Sequence, residues 1–204
     1  DKYLINTRTN YYHKPVWSLN WKWNVDKQSS LSTTFYGSKG RGGGTGPMNT
    51  RDTFMDDDGV DGYNKYFNPA EMSDGSGTID WTTVISNNTR WSVNSEFDTT
   101  YSDDMHRSKR IIRASVNHHD WTGILSTYSR TVNDNLKVTT GVDVRSYAGE
   151  HYREVVNLLG GDYYVHHYAK AGETGTERMR DVGGLIDYHN TGYHDWYGGW
   201  AQAE

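Results

Sequence analysis

The run Asp56-Asp57-Asp58-Gly59-Val60-Asp61-Gly62 sets carboxylates around glycine turns, and such side chains offer hard oxygen ligands to a calcium ion. The spacing departs from an EF-hand loop: counted from Asp56, the fifth position is Val60, and Phe67 stands where the bidentate Glu belongs. A solvated acidic turn is the stronger reading of residues 56–62, with calcium the weaker one. Histidine pairs at His118-His119 and His166-His167 raise a metal or haem site. Neighbours on a strand point to opposite faces, so neither pair chelates one ion simply through both rings. Asp80, Glu150 and Glu154 supply carboxylates for glycoside hydrolysis, but that reaction needs two at a fixed separation, which no spacing here establishes. A phosphate loop, a dinucleotide fingerprint and a Ser-His-Asp order are all missing. Asn87-Asn88-Thr89 fits a glycosylation acceptor, which matters only in a eukaryotic secretory setting. The expectation is a protein that is not an enzyme and carries no cofactor.

The elements that must position any such residues are clearer than the residues themselves. From Val16 to Val25 the chain alternates strictly, with Trp17, Leu19, Trp21, Trp23 and Val25 on one side and Ser18, Asn20, Lys22 and Asn24 on the other. After Asp26-Lys27-Gln28 the pattern resumes with Leu31, Thr33 and Phe35. A second pair of alternating segments meets at Asn133-Asp134-Asn135, and its later member sets Leu136, Val138, Thr140, Val142 and Val144 against Lys137, Asp143 and Arg145. Period-two alternation is the mark of strands with one apolar and one polar face. The reading is an all-β chain with strands at about 11–24, 29–39, 111–131, 136–147 and a partial one at 195–204. Long loops fill about 40–110 and 148–194, and the Gly40–Gly46 run reads as a flexible exit from the second strand.

Short turns at one end and long loops at the other are the layout of an antiparallel transmembrane β-barrel, so residues 1–204 read as part of one barrel domain. A mean hydropathy of −0.90 argues against membrane helices. It does not argue against a barrel, in which only alternate residues meet lipid. The chain holds 16 Tyr and 8 Trp but only 4 Phe, an excess that suits the aromatic girdles of a barrel and equally a carbohydrate-binding surface. A net charge of −5 with dispersed Lys and Arg speaks against nucleic acid as a partner. The absence of Cys rules out disulfides and thiolate metal sites. Turning a Lys or Arg to lipid costs up to ~2–4 kcal/mol at the bilayer midplane. Lys22, Asp143 and Arg145 are therefore expected to face a polar lumen, with Trp17, Leu19, Trp21, Val138, Val142 and Val144 toward lipid. Arg41, Asp56, Asp58, Tyr63 and Tyr66 are the loop candidates for contact with a polar ligand such as a glycan or peptide.

The order of motifs adds a resemblance. Asn10-Tyr11-Tyr12-His13-Lys14-Pro15 is followed by Gly40-Arg41-Gly42-Gly43-Gly44, Asp74-Gly75-Ser76-Gly77-Thr78-Ile79-Asp80-Trp81 and Arg113-Ala114-Ser115-Val116-Asn117-His118-His119-Asp120-Trp121. Tyr147-Ala148-Gly149-Glu150-His151-Tyr152-Arg153, Leu158-Leu159-Gly160-Gly161 and Trp200-Ala201-Gln202-Ala203-Glu204 complete the series. Over nearly its whole length the chain resembles the mid-barrel region of TonB-dependent outer-membrane receptors that carry a carboxypeptidase-like regulatory domain. The resemblance implies a large plugged barrel in the bacterial outer membrane, importing a scarce nutrient. Its implied partners are the rest of the barrel and the plug, TonB through an N-terminal part, the lipid bilayer and, compatibly, a surface lipoprotein. On this reading the chain is an internal fragment of a longer protein. Two competing classes stand beside it: a secreted β-sandwich module that binds glycans, and a surface barrel without transport.

Overall fold

In a computed structural model of the protein, the residues described are 5–49, 79–90, 101–166 and 173–204. They form a mostly antiparallel sheet, with strands β1 (Asn10–His13), β2 (Val16–Asn24), β3 (Ser29–Asn49), β4 (Arg110–Asn133) and β5 (Leu136–Asn157). After β5 come a short ladder of β6 (Tyr164–Val165) with β7 (Met179–Arg180), and then β8 (Leu185–Ala203). The sheet runs in the order β1-β3-β4-β5-β8, with β2 also paired to β3. Among the described residues its two edges do not pair with each other. One helix, α1 (Trp81–Arg90), lies between β3 and β4 in sequence. No helix of the described residues is long and apolar enough to cross a membrane, which says nothing of strands.

The alternating segments pair as their turns dictate. Trp17 stands opposite Gly37, Leu19 opposite Phe35, Trp21 opposite Thr33 and Trp23 opposite Leu31. Directly opposed residues share a face, so the Trp ladder lies on one side and Ser18, Asn20 and Lys22 on the other. In the first turn Val25 N–H donates to Ser29 O at 3.0 Å and Gln28 N–H to Asp26 Oδ1 at 2.7 Å. That Gln28 donor holds the Asp26 carboxyl below its ordinary pKa. Asn133 does the same work in the second turn, where its Oδ1 accepts from Asn135 N–H at 2.9 Å. Thr131 N–H donates to Gln28 O at 2.9 Å, so both short turns sit at one end of the sheet.

The strands outrun the sequence-based boundaries. β3 continues through Gly40–Gly46 to Asn49, β5 runs on from Tyr147 to Asn157, and β8 begins at Leu185 rather than about 195. The connections are accordingly 50–109 and 158–184. The first strand is also broken at Lys14-Pro15, where proline has no N–H for the ladder. Glycines fit this strand because neighbouring atoms occupy the space a Cβ would need. A Cβ on Gly40 would meet the His119 ring, one on Gly44 the Asn10 side chain, and one on Gly43 the Ser115 carbonyl at 3.0 Å. Glycine's weak strand propensity is outweighed by packing.

The chain divides into two compact units: one of Asp1–Tyr11, Gly43–Val116 and His151–His189, the other of Tyr12–Gly42, Asn117–Glu150 and Asn190–Glu204. The first holds the buried core. Ile111 and Ile112, adjacent on β4, point to opposite faces and are both buried. Ile111 packs with Met48, Val155, Tyr164 and Ile186, while Ile112 packs with Val84 of α1 and Leu159. Asp80 caps α1 by accepting from Thr83 N–H at 3.1 Å and Thr83 Oγ1 at 2.6 Å. Gly161 lies tight against Ser108, whose N would be 2.9 Å from an added Cβ. Gly161→Ala should therefore destabilise this unit by about 1–3 kcal/mol, as measured by urea unfolding.

The second unit carries its large apolar side chains in the open. Trp17 is 52 % exposed, Leu19 63 %, Trp21 48 % and Val142 52 %. Val138 is only partly exposed.

Candidate functional site

The polar face of the second unit gathers more than charge. Tyr36 of β3 lies across from Ser18, and hence on the Lys22 side of the sheet. Its hydroxyl donates to Asp143 Oδ1 at 2.9 Å and accepts from Arg145 Nε at 3.2 Å. Arg145 Nη2 closes the triangle by donating to Asp143 Oδ2 at 3.1 Å. Asp143 and Arg145 occur at alternate positions of β5, so both reach the same face. Tyr36 comes to them across β4 because Gly123 leaves its place empty: a Cβ there would strike the Tyr36 ring.

Rings surround this triangle. Arg145 stands over the Tyr36 ring at 5.8 Å and the Trp196 ring at 5.9 Å, within cation–π range. Trp121 tilts against Tyr36 at 5.5 Å between centroids. Tyr147 lies 6.2 Å from His119 and from His194, and meets Trp196 edge-on at 6.4 Å. His119, Trp121, Arg145, Tyr147 and Trp196 line an open cleft of about 230 Å³. A cleft with aromatic walls and a fixed guanidinium suits a polar ligand with apolar faces, held by stacking and by hydrogen bonds from Arg145. Both Asp143 oxygens are engaged, one by Tyr36 and one by Arg145.

Of the sequence candidates, Asp143 and Arg145 are brought together here. Lys22 shares their face by register, opposite Ser32, but does not line this cleft. Arg41 is not a loop residue. It lies within β3, where Nη1 donates to Asp120 Oδ1 at 2.8 Å, because the strand continues through the glycine run. With His118, His119, Asp120, Ala148, Glu150, Thr191 and Tyr193 it lines a second cleft of about 260 Å³. His118 and His119 part as strand geometry requires: His118 Nδ1 lies 3.3 Å from Glu150 Oε2, while His119 stacks near Tyr147. Asp56, Asp58, Tyr63 and Tyr66, and with them the calcium reading of 56–62, lie outside the described residues. Among the described residues no group of three or more His, Asp or Glu is placed to hold a metal ion. A larger cleft of about 630 Å³ sits beside the turns, lined by Asn24, Asp26, Lys27, Gln28 and Lys137 among others. It is an open hollow walled by turn residues and has no aromatic lining. Trp121, Tyr147 and Trp196 were missed in the sequence. Their signal was parity, since Tyr147 stands two places beyond Arg145 on the same face.

No family model, curated protein or solved structure matches the chain.

Proposed function

We propose that this chain is a stretch of the wall of a TonB-dependent outer-membrane receptor, a closed plugged barrel that imports a nutrient ligand. On this reading Trp17, Leu19, Trp21, Val142 and Val144 face lipid. Lys22, Asp143 and Arg145 face the lumen, where the ring-lined cleft at Arg145 contacts the ligand. The observation that carries it is that Trp17, Leu19, Trp21, Val142 and Val144 stand exposed on one face of the sheet while Lys22, Asp143 and Arg145 lie on the other. A lipid-embedded barrel needs that division, with apolar residues outward and a polar interior. Trp21 and Trp23 stack at 6.1 Å beside the short turn, where an aromatic girdle belongs. The remaining strands, the plug, TonB and the bilayer are the partners this reading requires. An open strand edge in lipid would leave backbone groups without hydrogen bonds, so other strands must close the barrel.

The chain lacks Cys, so single cysteines carry a reporter cleanly. Fluorophores at Leu19→Cys and Val142→Cys in the intact protein in bilayers are expected to be quenched several-fold more by brominated lipid than those at Ser18→Cys and Lys22→Cys. If the first pair were shielded from both lipid and aqueous iodide, the apolar face would be covered by a second sheet. A secreted glycan-binding sandwich would then replace the receptor. Import is read separately, as ligand uptake that disappears when TonB is removed from the host cell. Uptake that persists without TonB would exclude this transport class.

A further inference from the structure

Arg113 stands two residues beyond Ile111 on the same face of β4, in the unit with the buried core. It is partly buried, and its Nε is closed off from solvent with no hydrogen-bond partner among the described residues. A guanidinium is a permanent cation with its donors in a rigid fork, so leaving one partly buried and unpaired is unfavourable unless something else completes it. The neighbouring residues do not complete it. Arg153 of β5 is occupied elsewhere: its Nε donates to Ser115 Oγ at 3.2 Å and its Nη1 to Asp187 Oδ2 at 2.7 Å. The ring of Tyr188 lies beneath its guanidinium at 5.2 Å. Ser115 is the next residue along the face that carries Arg113, so these bonds hold Arg153 at Arg113's flank.

The charges do not balance. Arg153 and Arg8 both repel Arg113, and Tyr188 and Asp187 act the other way, but the Tyr188 ring lies against Arg153 and the one carboxylate is already committed to Arg153. The Asp187 side chain is only 6 % exposed, and its backbone takes the left-handed φ of 62° that non-glycine residues seldom adopt. On the β3 side stands Gly46, where an added Cβ would lie 3.7 Å from the Arg113 guanidinium, so no side chain of that residue intrudes. The result is a partly buried guanidinium fork resting against a glycine, with a second fork fixed beside it and an exposed third arginine nearby.

We infer that Arg113, flanked by Arg153 and Arg8, is an oxyanion-binding site that takes the carboxylate or phosphate group of a ligand. A planar or tetrahedral oxyanion accepts the unused Arg113 donors in pairs and relieves the repulsion among the three cations. All the residues lie in the first unit, and the site stands whether or not the protein transports anything.

The test is calorimetric titration of the purified, folded protein with inorganic phosphate and, in a separate arm, with citrate, each against sodium chloride of matched ionic strength. Saturable binding is expected in at least one arm, and the tighter arm identifies the preferred group. Arg113→Gln should weaken that binding at least tenfold. Arg113→Lys should fall between, since it keeps the charge and loses the fork. Without added anion, Arg113→Gln should melt no lower than the parent, because the substitution removes repulsion and no hydrogen bond. No binding above the chloride control in either arm overturns the inference. So does unchanged affinity in Arg113→Gln, or a lower melting temperature of that variant in chloride alone, which would make Arg113 a structural residue. Should Arg113→Gln fail to fold, the exposed Arg8→Gln decides. Binding weakened several-fold supports the site, and unchanged binding overturns it.

Discussion

Asn88→Ala is expected to loosen α1 and the turn after β5 together, at a cost of about 3–5 kcal/mol. The Asn88 side chain is fully buried, at 0 % exposure, and its amide is used from both ends. Nδ2 donates to Arg110 O at 2.7 Å and to Leu158 O and Leu159 O at 3.0 Å each. Oδ1 accepts from Lys109 N–H at 3.0 Å and Arg110 N–H at 3.2 Å. Each buried backbone group left without a partner costs about 1–3 kcal/mol, and water entering the vacated space recovers part of the sum. The held turn is itself under strain, with Leu159 at φ 52° followed by Gly160 at φ 97°. A non-glycine residue in that region costs about 1–2 kcal/mol, so the turn has reason to relax once Asn88 lets go. Hydrogen exchange should show lost protection across 81–90 and 158–163, with β2 and its partner segment of β3 unchanged. Asn88→Asp should be at least as damaging, because a carboxylate would face three carbonyl oxygens in place of the donor. Unchanged protection in both variants would show that apolar packing of Val84 on Ile112 and Leu159 holds the helix unaided.

The contrast between this residue and the strands shows what a sequence makes legible. Alternation from Val16 to Val25 and from Leu136 to Arg145 is local, and a short turn fixes the register, so both faces of β2 and β5 could be read in advance. The Gly40–Gly46 run reads as an exit because the pairing with β1 and β4 that makes it strand, and the approach of His119, Asn10 and Ser115 that makes it glycine, are remote in sequence. β5 beyond Tyr147 was lost for a related reason. In Ala148-Gly149-Glu150-His151-Tyr152-Arg153 polar residues fall on both faces, and the period-two signal fades. Asn88 read only as part of a glycosylation pattern, since nothing local shows that its amide meets backbone groups some 20 and 70 positions away. The candidate cleft was half legible: Asp143 and Arg145 lie on a strand whose parity is plain. Trp196 lies beside Gly198 and Gly199, which blur the parity of β8. Arg113 opens one of the quoted motifs and Arg153 closes another, and only the pairing of β4 with β5 joins them.

An arginine at position 19 should cost about 2–4 kcal/mol in a bilayer, and one at position 25 about 0–1 kcal/mol. The difference follows from depth. Leu19 lies six residues before the turn residue Val25, and at ~3.3 Å per residue with a tilt of ~45° that places it about 14 Å from the turn. In an apolar band ~25 Å tall this is near the midplane, where a guanidinium cannot reach water without bending the bilayer or the strand. Val25, at the turn itself, needs no such distortion. Ser18→Arg supplies the control for face: it lies at nearly the same depth as Leu19 but on the side shared with Tyr36 and Lys22, and it should cost less than about 0.5 kcal/mol. Urea unfolding of the intact protein from lipid vesicles measures all three. A sheet whose Trp ladder met only water would give three small and equal effects, since surface substitutions there change stability little. Leu19→Arg proving no costlier than Val25→Arg would therefore remove the lipid from this face, and with it the barrel. A steep fall in cost from position 19 to position 25, absent at position 18, is the pattern that a membrane crossing imposes.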